Sequence, residues 1–183
     1  MSKIEDLLVH IQRIFPDKKI EAYYHKETAP KIWIEDSEEA NKILHHINLP
    51  NNLPVTKTFQ VENPKEKTIV ILAVDGAGIV GDSQSSCDPA FFDDTCFCLA
   101  EFKYNAKSRK NKNKRLQKAI EQLEASIQKF DVLQIKALDY QLEAYIGKPP
   151  IYPKTTPRIQ TKAIEFSQKY TIILKEVNIK TFH

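Results

Sequence analysis

The stretch Asp88-Pro89-Ala90-Phe91-Phe92-Asp93-Asp94-Thr95-Cys96-Phe97-Cys98-Leu99-Ala100-Glu101-Phe102-Lys103 decides how this chain folds. It contains two apolar runs of strand length separated by two aspartates, which tolerate turn backbone. The pattern reads as a β-hairpin, with Gln84 to Phe92 paired to Thr95 to Lys103. Strand residues two apart share a face, so Glu101 and Lys103 point one way and Cys98, Ala100 and Phe102 the other. Closing the loop on Asp93 and Asp94 sets Phe92 opposite Thr95, and therefore Asp88 opposite Leu99 on the face of Glu101 and Lys103. Pro89 cannot donate to a ladder, so a bulge or an edge position is expected there, and a bulge would shift this register by one. A strand apolar on both faces is buried on both, and charges closing it need a reason. Carboxylates on a cross-strand diagonal lie roughly 7 to 8 Å apart, about the separation at which they hold a hard cation between them.

On the N-terminal side, Ile4 to Phe15 has apolar residues at spacings of three and four and reads as an amphipathic helix stopped by Pro16. A second helix is expected from Ser37 to Ile47, with Asp36 or Ser37 as cap and Ala40, Ile43, Leu44 and Ile47 as the buried stripe. His45 and His46 then sit at its carboxyl end, where positive charge is favourable. Weak strands are expected near Ile20 to Tyr24 and Lys31 to Glu35. Stronger ones run from Thr56 to Val61 and Thr68 to Val74, joined as a hairpin through Asn63 to Lys67. Three of the four glycines fall in Asp75 to Asp82, which reads as a tight connection after a buried strand. Its spacing matches no phosphate-binding fingerprint, although Asp75 or Asp82 could add a ligand.

On the C-terminal side, Leu116, Ala119, Ile120, Leu123, Ile127 and Phe130 hold a helical period from Lys114 to Phe130. A strand from Tyr140 to Ile146, a helix near Ile159 to Lys169 and a last strand from Thr171 to Val177 follow. The chain has 183 residues, 42% hydrophobic and 28% charged. That fits one domain, residues 1–183, with no apolar run near the roughly 20 residues a membrane span needs. The opening MSKIEDLLVHIQRIF lacks signal-peptide character, so a cytoplasmic location is expected. Three cysteines make no disulfide framework. Cys96 and Cys98 lie too close on one strand face for an unstrained bridge, and they read as residues packed in the sheet that could bind a soft metal only with partners from elsewhere.

A net charge of +3 would not by itself point to nucleic acid, but its distribution does. From Phe102 to Lys118 there are eight basic residues, Lys103, Lys107, Arg109, Lys110, Lys112, Lys114, Arg115 and Lys118, and no acid. The run starts at the proposed chemistry and enters the following helix, where a polyanion would meet it. Gln122 lies three residues past Ala119 on the same helix and could face the same region.

Asp88, twelve residues, then Glu101-Phe102-Lys103 at the end of an apolar strand and a long amphipathic helix resembles the PD-(D/E)xK nuclease superfamily over about residues 68–130. Cys87 stands where that family's name motif has proline. The resemblance implies an α/β fold with a restriction-endonuclease-like core, a mixed, mainly antiparallel sheet flanked by helices. Residues 1–66 would be an N-terminal helical and strand elaboration and 67–183 the nuclease-like core. It also implies Asp88 and Glu101 as ligands of Mg²⁺, with Mn²⁺ as substitute, and Lys103 as the catalytic lysine. Phosphate contacts would come from Lys107, Arg109, Lys110, Lys112, Lys114, Arg115 and Gln122. The expected activity is phosphodiester hydrolysis of nucleic acid, DNA ahead of RNA. Two other readings stay open: a domain that binds nucleic acid or protein without cutting, and a nucleotide-binding domain built on the glycine loop.

Overall fold

The computed structural model describes residues 2–37, 42–81, 85–104, 109–148 and 157–183, and the side chains of 109–112, 158 and 159 fall outside that description. The chain is α/β, with mixed sheets flanked by helices. Helix α1 (Lys3–Ile14) starts on a capping box, in which Ser2 and Glu5 each satisfy the other's backbone N–H. The strands are β1 (Tyr24–Glu27), β2 (Lys31–Ser37), β3 (Lys42–His46), β4 (Phe59–Glu62), β5 (Ile69–Ala73), β6 (Pro89–Phe92) and β7 (Cys96–Phe102). Helices α2 (Arg109–Lys129) and α3 (Val132–Ala137), strand β8 (Gln141–Gly147), helix α4 (Pro157–Tyr170) and strands β9 (Ile173–Lys175) and β10 (Ile179–Thr181) complete it.

The larger sheet runs β1-β5-β6-β7-β8-β9 and the smaller β10-β4-β2-β3. Strands β5, β6 and β7 form an antiparallel meander, and β8 lies parallel to β7 after the α2 crossover. Alternation along these strands splits the core in two. Val70, Leu72, Ala90, Phe92, Phe97, Leu99, Ala144 and Ile146 pack with the helices through Leu7, Ile11, Leu116, Leu123, Ile135 and Phe166. The opposite set, Ile69, Ile71, Phe91, Cys98, Ala100, Phe102 and Tyr145, packs with Ile32, Ile34, Phe59 and Val61 of the smaller sheet. Helices therefore cover one face of the larger sheet and four strands cover the other. Among the described residues no helix is long and apolar enough to cross a membrane.

Three local expectations are corrected. Residues 42–46, expected in a helix over Ser37 to Ile47, form β3, paired antiparallel with β2 from Ser37↔Lys42 to Trp33↔His46; residues 38–41 lie outside the described residues. The apolar residues fit either period, and cross-strand partners decided the outcome. His46 Nε2 meets Glu35 Oε2 of β2 at 3.1 Å, and His45 Nε2 reaches Glu27 Oε1 of β1, in the larger sheet, at 2.8 Å.

The hairpin expected between 56–61 and 68–74 does not form, because β4 and β5 belong to different sheets. Buried Asn63 holds the crossing instead. Its Nδ2 donates to the carbonyls of Thr28, Ala29 and Lys67, and its Oδ1 accepts from Lys67 N–H.

The third correction is the β6–β7 register, which pairs Ala90 with Leu99 and Phe92 with Phe97. Asp93 lengthens the turn, its Oδ1 accepting from Thr95 N–H and Oγ1 and from Cys96 N–H at 2.7 to 2.8 Å. Over residues 90–92 this register is shifted by two from the expected one, which leaves their faces unchanged. A bulge does appear at Pro89: Asp88 N–H donates to Ala100 O at 3.0 Å, one residue out of step with the ladder.

Candidate active site

Glu101 and Asp88 come together where the meander ends. Asp88 lies just before β6, and its Oδ2 accepts the backbone N–H of Phe102. That bond repairs the ladder at the bulge and ties Asp88 to the residue after Glu101. The main chain on both sides is held as well, since Val74 N–H donates to Asp88 O at 3.0 Å and Lys103 N–H to Gly147 O at 2.8 Å. Lys103 reaches back to form an ion pair with Glu101 Oε1.

The burial of this group is severe. Glu101 is fully buried and Asp88 is 7% exposed, while the Lys103 side chain, 15% exposed, is the member of the three that reaches solvent. Glu101 Oε2 is buried with no hydrogen-bond partner. Burial pushes the Glu101 carboxyl up to about 7; the Lys103 ammonium opposes the rise, and the charges of Asp75 and Asp36 add to it. Asp88 is pushed well above the usual carboxylate range by burial and then by the charges of Glu101 and Asp36, against the Lys103 ammonium and the Phe102 N–H. Two buried carboxyls are thus held side by side with one ammonium between charge states, an arrangement that neutralises itself by binding protons or a cation.

The surroundings are built from close backbone contacts. A side chain at Gly78 would bring its Cβ within 2.5 Å of Val74 C, so this glycine lets the 75–80 loop fold back on the end of β5. There Gly78 N–H donates to Asp75 O at 2.8 Å and Ile79 N–H to Ala73 O at 3.0 Å. A Cβ at Gly147 would lie 2.7 Å from Tyr104 Oη, which is itself buried without a hydrogen-bond partner. Burial raises the Tyr104 hydroxyl further from ionisation, and the charges of Asp88 and Asp36 act in the same direction.

Helix α2 meets the site through Gln122, whose Nε2 donates to Ser86 O at 2.9 Å, and through Ser126, whose Oγ accepts Cys87 N–H at 2.7 Å. Gln122 therefore braces the strand that carries Asp88, and its Oε1 is buried with no partner. Arg115 is half-buried and Lys114 exposed. Seven residues is close to two helical turns, so Arg115 lies on the stripe of Gln122, about 10 Å along the axis. Arg109, Lys110 and Lys112 have their backbone in α2, with side chains outside the described residues. Lys107 and Asp82 also fall outside them.

Sequence reading missed Asp36, expected with Ser37 as a possible helix cap and instead the last but one residue of β2, opposite Ile43. It also missed Tyr104, and no local signal marks either residue. A second cluster joins two cysteines expected only to pack in the sheet. Cys96 and Cys98 share the face opposite Glu101, with sulfurs 3.5 Å apart, and Glu143 is the partner from elsewhere. The only ionisable residue in β8, Glu143 apart from Tyr145, was the available signal. Although burial opposes it, Glu143 is held at about 2 by hydrogen bonds from Lys180, Tyr145 and Lys175. Comparison with known proteins finds no family model, no characterised protein and no solved structure that matches this chain.

Proposed function

We propose that the protein is a metal-dependent nuclease that hydrolyses phosphodiester bonds, with DNA ahead of RNA as substrate, and that its core is of the PD-(D/E)xK type. The observation that carries this reading is the buried Asp88–Glu101 carboxyl pair with Lys103 at the end of β7. A buried acid pair destabilises an apolar core unless something neutralises it. With strands β1–β4, which lie between α1 and the meander, set aside, the order α1, antiparallel meander, α2, parallel β8 supports this reading, being similar to that family's helix, three strands, helix, strand. The four-stranded sheet over the second face is an addition to it, as is Cys87 in place of proline.

The donor set suits Mg²⁺ or Mn²⁺, since both carboxylates offer hard oxygens and Glu101 Oε2 is buried without a partner. Asp88 and Glu101 would hold the ion, which when bound supplies a water of lowered pKa and neutralises charge on the phosphate. The remaining work falls to the chain itself. Lys103 opposes the upward shift of the Glu101 carboxyl, and as the solvent-reaching member it is positioned to steady negative charge on a phosphate as it develops. Asp88 is fixed by the Phe102 N–H, which ties its carboxylate to the residue after Glu101. Gln122 and Ser126 hold the Ser86–Cys87 backbone so that Asp88 cannot swing away. Arg115 and its basic neighbours would guide the polyanion by its phosphates.

The full burial of Glu101 favours a second reading, in which the same surface binds nucleic acid without cutting it. Incubation of circular duplex DNA, linear DNA, single-stranded DNA and RNA, with and without Mg²⁺, separates the two. Mg²⁺-dependent cleavage that disappears in Lys103→Ala and Glu101→Gln supports the nuclease. Cleavage that survives both substitutions, or retention of nucleic acid with none of it cut, rejects it.

A further inference from the structure

We propose that Cys96, Cys98 and Glu143 form a binding site for a thiophilic divalent cation of the zinc class, on the opposite face of β7 from Glu101. One ligating atom from each of the three residues lies within 4.8 Å of the others, and all three residues are buried. Tetrahedral coordination with metal–sulfur bonds of about 2.3 Å places two sulfurs about 3.8 Å apart. The Cys96 and Cys98 sulfurs, at 3.5 Å, are within a few tenths of an ångström of that bite. Strand alternation and register create the arrangement, because residues 96 and 98 share a face of β7 and Glu143 is the parallel β8 partner of Cys98.

A cation already occupies the point where these groups meet. The Lys180 ammonium donates to Glu143 Oε2 at 2.8 Å and lies 3.6 Å from Cys96 Sγ. The other contacts of the Glu143 carboxylate are Lys175 at 2.9 Å and Gln141 Nε2 at 3.2 Å on Oε1, and the Tyr145 hydroxyl on Oε2. We infer that the ion takes the place of the Lys180 ammonium, whose flexible stem swings out to solvent from strand β10. Two S–H bonds release their protons to water, two metal–sulfur bonds and one metal–oxygen bond form, and no electron is transferred. With neutral thiols, the carboxylate and two ammoniums carry one net positive charge. With two thiolates, the carboxylate, the Lys175 ammonium and a divalent ion, the sum is zero, so binding leaves no added charge in the core.

Oxidation is the competing chemistry, and geometry opposes it. Alternate strand residues have Cα atoms about 6.6 to 6.8 Å apart, at the upper limit for a disulfide, and the sulfurs would have to close to about 2.05 Å.

The test titrates Cd²⁺ alone into the full reduced chain and follows the ultraviolet thiolate-to-cadmium band. One ion per chain is expected, with two protons released, as thiols must ionise to bind. The band should persist in Cys87→Ser and be lost in Cys96→Ser and in Cys98→Ser. Lys180→Met should tighten binding roughly tenfold or more, the worth of a charge-assisted hydrogen bond the ion no longer displaces. Should the cysteine variants fail to fold, alkylation of the parent chain mapped by mass spectrometry replaces them, with Cd²⁺ protecting Cys96 and Cys98. A parent chain without the band, a band that needs Cys87, weaker binding in Lys180→Met, or labelling unchanged by Cd²⁺ each overturns the proposal.

Discussion

Replacing Glu101 with glutamine removes a buried charge while keeping the shape of the side chain, and the consequence should be a change in how stability depends on pH. The carboxyl rises from 4.5 to about 7 on folding, chiefly through burial. A carboxyl whose folded value lies above its unfolded one binds more protons when folded. Its contribution is therefore fully present below pH 4.5 and is lost as pH rises through about 7. At about 1.4 kcal/mol per pH unit, the rise corresponds to roughly 3 kcal/mol. The parent protein should lose about that much more stability than Glu101→Gln between pH 4 and pH 8. The charge that Glu101 exerts on Asp88 adds to the same trend. Urea unfolding at several pH values, followed by circular dichroism, measures the difference directly. Mg²⁺ supplies a second arm at pH 8: a cation held by the pair stabilises the parent by about 2.7 kcal/mol at a hundredfold excess over Kd, and Glu101→Gln by much less. Parallel pH profiles for the two proteins would refute the reasoning, because they would mean Glu101 titrates like a solvated carboxyl.

Lys103→Ala should raise the Glu101 carboxyl further, since the ammonium is what opposes burial there. In a cleavage assay it should remove turnover and leave affinity for nucleic acid nearly intact, as expected of a group that matters most in the transition state. Neutralising Lys107, Arg109, Lys110, Lys112, Lys114 and Arg115 together should do the reverse. Each lost phosphate contact should reduce the slope of log K against log salt by roughly 0.7 to 0.9, and binding measured across a salt series that matches the parent would return the run to a solvated surface. Asn63→Ala should cost roughly 2 to 4 kcal/mol in chemical denaturation, because three carbonyls and the Lys67 N–H lose their partner in a buried crossing; a cost under about 0.5 kcal/mol would show that the crossing is held by other means.

Local periodicity made part of this fold legible from the residues alone. The helical stripe of Leu116, Ala119, Ile120 and Leu123 and the alternation of Cys98, Leu99, Ala100 and Glu101 both appear as read, because each period of 3.6 or 2 leaves only one way to bury its apolar side. The grouping of Asp88, Glu101 and Lys103 was expected from the same alternation, but the ladder runs two residues off the expected register and the Pro89 bulge steps it by one more, so it is the Phe102 N–H bond to Asp88 Oδ2 that ties Asp88 to this end of β7. The rest depended on contacts between residues far apart in the chain. Ile43 and Leu44 fit a helix stripe as well as a strand, and pairing with β2 chose between them. Strands β4 and β5 look like a hairpin until Asn63 sends the chain from one sheet to the other. Asp36 joins the charges around Asp88, and Glu143 and Lys180 join the two thiols, across separations of dozens of residues. No window of sequence contains such meetings. They arise when sheets stack, and the burial that stacking imposes gives those charges their unusual energies.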